Sequence, residues 1–104
     1  DGAIPTALAL PAIADVVAGR IEVYVDGGVR SARDVLRALA LGARAVMIGR
    51  PYVWALAIAG EAGVEELLVR LREELHNAMM LAGQTDPARI PRDLVVAAAP
   101  GDPV

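Results

Sequence analysis

The sequence predicts an α/β fold organised around one parallel βαβ unit, and three features of the 104-residue chain carry that expectation. Two short apolar segments, residues 21–25 and 45–48, each run into a glycine turn, at Asp26-Gly27-Gly28 and at Gly49. A stretch with helical periodicity separates them. That is enough chain for a crossover, which makes the strands parallel and puts both glycine turns at the same end.

Each element has a local reason. Pro11 suits the first turn of a helix, where its fixed φ fits and its missing N–H has no intrahelical partner to lose. The expected helix spans residues 10–18, with Ile13, Val16 and Val17 on one side and Gly19 as a left-handed C-cap. Ile21, Val23 and Val25 alternate with Glu22 and Tyr24, the period of a half-buried strand. Ser31 with Asp34 three residues later resembles a capping box. Val35, Leu36 and Leu39 then form an apolar stripe that Gly42 closes. Ala45-Val46-Met47-Ile48 supplies the second strand. Pro51 opens a short helix to about residue 59, and a longer helix follows to about residue 82. Its stripe is Val64, Leu67, Leu68, Leu71, Leu75, Ala78, Met79 and Ala82, and Glu66 and Arg70 are spaced for an i,i+4 pair. Gly83 ends it. A helix-capable piece near residues 90–96 completes one domain portion, residues 1–96, and the tail, residues 97–104, is expected to be disordered.

A net charge of −3 and 56% hydrophobic residues suit a packed α/β chain and give no support to nucleic-acid binding. The absence of Cys excludes a disulfide framework, a thiolate metal site and a cysteine nucleophile, and with a single His no metal is expected. A cytoplasmic location is the expectation. The charge-free stretch 51–60 is far shorter than the roughly 20 residues of a membrane-spanning helix.

Unpaired N–H groups and the macrodipole make helix N-termini favourable for anions. Two such ends follow Gly28 and Gly49, each with an arginine, so Asp26, Gly27, Gly28, Val29 and Arg30 together with Gly49 and Arg50 read as a two-loop phosphate cradle. Singly, each glycine reads better as an ordinary turn and each arginine as a solvated charge; their conjunction at neighbouring strand ends favours a site. Asp26 is suited to accept hydrogen bonds from ligand hydroxyls. In a (β/α)₈ barrel the loops after the seventh and eighth strands and the start of a short extra helix often form a phosphate site, and residues 51–59 suit that helix. His76 lies in the polar sector of the long helix and receives no role. Tyr52 and Trp54 are read as packing, and Arg33, Arg37 and Arg44 as solvated charges.

The run Ile21-Glu22-Val23-Tyr24-Val25-Asp26-Gly27-Gly28-Val29-Arg30, the segment from Asp34 to Ala43, and Val46-Met47-Ile48-Gly49-Arg50-Pro51 resemble the FMN-dependent α-hydroxy acid oxidase and dehydrogenase family. The resemblance continues through Gly60-Glu61-Ala62-Gly63-Val64. It implies the C-terminal part, the last two βα units, of a (β/α)₈ TIM barrel. It also implies FMN as cofactor, with Asp26 and the backbone of Gly27 to Val29 near the ribityl chain and phosphate, and Arg30, Gly49 and Arg50 on the phosphate. Ala32 departs from the glycine usual there but removes no phosphate donor. The family's proton-abstracting His and substrate-carboxylate Arg lie in a segment immediately upstream of an Asp-Gly-Ala like that of Asp1-Gly2-Ala3, so no catalytic residue is expected within these 104. The implied parent is a homo-oligomeric enzyme oxidising an L-2-hydroxy acid to the 2-oxo acid, and the chain alone is expected to be inactive. The alternatives are a related phosphate-binding barrel, such as a type 2 isopentenyl diphosphate isomerase or an inosine monophosphate dehydrogenase, and a non-catalytic anion-binding module.

Overall fold

The structure, a computed structural model, describes residues 2–98. The order is α1 (Thr6–Val17), β1 (Tyr24–Val25), α2 (Ala32–Ala40), β2 (Ala45–Val46) and α3 (Arg50–Leu81), followed by 3₁₀ turns at Pro87–Arg89 and Arg92–Leu94. β1 and β2 are parallel, with Tyr24 opposite Ala45 and Val25 opposite Val46. The pairing extends one bond beyond each end, from the Arg44 amide to the Val23 carbonyl and from the Met47 amide to the Val25 carbonyl, both at 2.7 Å. The expected βαβ unit is therefore present, with shorter strands. Most of the expected tail, residues 99–104, lies outside the described residues.

α2 lies at the centre. On one side Leu10, Val25, Ala38 and Ala43 form a buried cluster with Val23, Leu41 and Val46 against it. On the other, Leu36 and Ala40 meet Met79 of α3 and Ile90. The turn after α2 needs Gly42, whose φ is 108° and where an added Cβ would come within 2.6 Å of the Ala14 methyl. α1 thus rests directly on that turn.

Three local expectations are corrected. α1 begins at Thr6 after Pro5, so Pro11 sits inside the helix rather than opening it; the Pro5 carbonyl takes the first bonds, from the amides of Leu8 and Ala9. At its far end Ala18, not Gly19 alone, is left-handed, with φ 49°. The Arg20 guanidinium bonds the Val16 and Val17 carbonyls there at 2.8 and 3.0 Å, satisfying acceptors that the helix end leaves open. Arg70 pairs with Glu74 at 3.4 Å rather than with Glu66.

The break between the two expected C-terminal helices is confirmed as a corner within α3. Ala59 has φ −140° and Gly60 φ 61°, conformations that interrupt the helix. An added Cβ on Gly63 would overlap the Ala55 carbonyl oxygen, so the second segment starts against the backbone of the first. This corner lets residues 61–81 pack on α2 while the start of α3 stays at the strand ends. No helix among the described residues is long and apolar enough to cross a membrane.

Candidate functional site

Both strands deliver their glycine turns to one end. After Val25 the chain reverses through Gly27, φ 98°, and Gly28, φ 76°, a pair of left-handed conformations that any side chain would strain. The reversal drives Val29 into the core, 5% exposed, and turns Arg30 outward. From the neighbouring strand, Gly49 becomes the N-cap of α3 and Pro51 fills its first turn, where its missing N–H costs no helical bond.

Between the two turns is a concave pocket of about 270 Å³ lined by Asp26, Gly27, Gly28, Val29, Arg30, Met47, Ile48, Gly49 and Arg50. All seven residues singled out by sequence are on its wall. The volume lies at the low end for small-molecule sites, which suits one polar end of a ligand better than a whole cofactor. A second, more apolar gap of about 300 Å³ shares Gly27, Gly28 and Val29 with it and extends between α1 and α2, with Leu10, Val25, Ala38 and Leu41 on its wall.

The two helix ends are not equivalent, which corrects the expectation of a pair of anion-ready N-termini. α2 closes its own end with a full capping box. The Asp34 carboxylate accepts from the Arg30 amide at 3.1 Å and from the Ser31 amide and hydroxyl at 3.0 Å each. Partial burial raises the Asp34 pKa, but these bonds and the nearby Arg37 outweigh it and hold the carboxyl below its usual value. A carboxylate therefore already occupies the α2 terminus. The donors left to an anion are the Arg30 and Arg50 side chains, the amides of the Gly27–Val29 reversal and the start of α3, where Gly49 offers no side-chain cap.

The sequence reading missed one partnership. The Arg30 guanidinium lies over the Trp54 ring, 5.7 Å from its centre, and donates to the Val29 carbonyl at 3.1 Å. Trp54 sits one turn after Arg50 on α3, and that i,i+4 spacing is the sequence signal that could have placed it beside the cradle. His76 is exposed and outside the pocket. Arg37 pairs with Asp34 at 3.4 Å and Arg44 with Glu22 at 3.7 Å, so neither faces the site.

Residues 1–97 match the FMN-dependent dehydrogenase family. Among similar proteins, 2-hydroxyacid oxidase 2 of Mus musculus is 54% identical over 87 residues, which is 84% of this chain and 25% of that protein. An L-lactate dehydrogenase of Caulobacter vibrioides is 52% identical over 96% of this chain and 26% of its own length. A solved mandelate oxidase with benzoyl-formic acid superposes with a TM-score of 0.85 at 52% identity, covering 88% of this chain and 28% of that one. The chain thus spans about a quarter of the length of the relatives it matches.

Proposed function

Since the chain belongs to the FMN-dependent dehydrogenase family, we propose that its two-loop pocket holds the phosphate end of FMN in a (β/α)₈ flavoprotein that oxidises a 2-hydroxy acid to the 2-oxo acid. FMN, when bound, supplies the acceptor for the two electrons that such a substrate gives up. Its phosphate fits the donor set present here. Arg30 and Arg50 bring two cations, and the reversal and the α3 terminus bring directional amides. An added Cβ at Gly28 or Gly49 would meet no protein atom within 4 Å, so the space beside both turns is open and a phosphate could approach the backbone there. Asp26 shares the phosphate's sign and belongs beside the hydroxyl-bearing chain, where a carboxylate accepts hydrogen bonds.

The chain's part is to bind and orient. Fixing one end of the cofactor sets where its reactive ring meets substrate. Proton abstraction and recognition of the substrate carboxylate belong to a His and an Arg outside these residues, a reading supported by the position of His76 away from the pocket. The names of the relatives, acting on 2-hydroxy acids, lactate and mandelate, support the substrate class.

The observation that carries this reading is the convergence of both arginines and both glycine turns on one 270 Å³ pocket. Arg50→Ala in the complete flavoprotein tests it. Loss of one charge-assisted hydrogen bond, about 1.5–3 kcal/mol, corresponds to FMN binding roughly 10- to 150-fold weaker, with little change in preference among hydroxy acids. Unchanged flavin content after purification would count against the assignment.

A further inference from the structure

We propose that Trp54 is a positioning residue for the phosphate site: its ring holds the Arg30 guanidinium in place across the two loops. The inference rests on the reading of the pocket as an FMN phosphate grip. Three observations carry it. Arg30 belongs to the first loop and Trp54 to α3, so the stack at 5.7 Å ties together the two halves of the pocket. Trp54 is not on the pocket wall, whereas Arg30 is, so the ring acts through the arginine and not on the ligand. The geometry of a guanidinium also permits both engagements. A guanidinium can set its flat face on a ring and still direct N–H groups outward in its plane, and among the described residues one of the five donors of Arg30 is used, at the Val29 carbonyl.

A long exposed side chain without such a clamp samples many rotamers, and binding an anion would then have to order it. The contact with the ring does that ordering beforehand and leaves the remaining N–H groups for the phosphate. The negative face of the ring, not its bulk, is what matters.

The test uses the complete flavoprotein stripped of flavin, titrated with FMN and with riboflavin, which lacks the phosphate. Trp54→Leu is expected to weaken FMN about 3- to 5-fold, the size of an exposed cation–π contact, and to leave riboflavin unchanged. Trp54→Phe recovers most of the loss. On an Arg30→Ala background Trp54→Leu adds nothing further. Equal losses for FMN and riboflavin, or a full Trp54→Leu effect without Arg30, would overturn the proposal. If the leucine variant does not fold, fluorinated tryptophans at position 54 serve, since they drain the ring's negative face with little change of shape. FMN affinity then falls stepwise with fluorine number, and a flat series overturns the idea. An Arg30→Ala protein that binds FMN normally would instead remove the phosphate reading beneath it.

Discussion

At the scale of the residue, the glycines of the first loop act through backbone conformation. Gly28 has φ 76°, and an added Cβ there would meet no neighbour within 4 Å, so the constraint is torsional and not steric. Gly28→Ala is therefore expected to lower the unfolding free energy by about 1–2 kcal/mol, the usual difference for a left-handed L-residue. The urea midpoint of the flavin-free protein measures it, and an unmoved midpoint would mean that the loop does not need that conformation. The candidate site was largely legible in sequence at this scale. Gly27, Gly28 and Gly49 mark strand ends, and a charged residue follows each turn. The Arg30 and Trp54 partnership was not legible, because 24 positions separate them and only the fold brings α3 back to the first loop.

At the scale of the element, α2 supports the site from behind, since the same turn that ends the first loop begins the helix. Its capping box is a sequence pattern that the structure reproduces bond for bond. Ser31→Ala is expected to cost about 1 kcal/mol. Asp34 adds a pH dependence of known sign. Its folded pKa is depressed below that of a free aspartate, so its contribution is complete above the ordinary value and is lost as pH falls through the folded one. Asp34→Asn should therefore flatten the stability profile on its acid side, below about pH 5. A profile parallel to that of the unmodified protein would show that the carboxylate does not hold the helix end. Short-range chemistry of this kind explains why α2 and the corner at Gly60 were readable. α1 was misread at its start because two prolines compete, and the chain begins the helix at Thr6 with Pro5 before it, tolerating Pro11 within.

At the scale of the whole molecule, the chain exposes more than its size calls for. Its accessible surface is 7759 Å², against about 5,500 Å² for a folded monomer of the same mass. Leu8, Val16, Ile58 and Leu81 are each more than 70% exposed, and among the described residues no large side chain is fully buried. Both outer edges of the two-stranded sheet are unpaired among the described residues. Sequence periodicity put Ile13, Val16 and Val17 on one apolar side of α1, yet Ile13 stays half exposed and Val16 mostly exposed. An apolar stripe shows which side wants burial and not what supplies it. The small core, much of it alanine, leaves little hydrophobic stabilisation to offset the entropy of ordering the chain. The isolated 104 residues are accordingly expected to bind a hydrophobic dye and to show a broad thermal transition whose midpoint rises with protein concentration, as association covers the exposed faces. Sedimentation and calorimetry over a hundredfold range of concentration check it. A sharp, concentration-independent transition of a monomer would show that the two small clusters on either side of α2 suffice to hold the strand ends, and with them the pocket, in place.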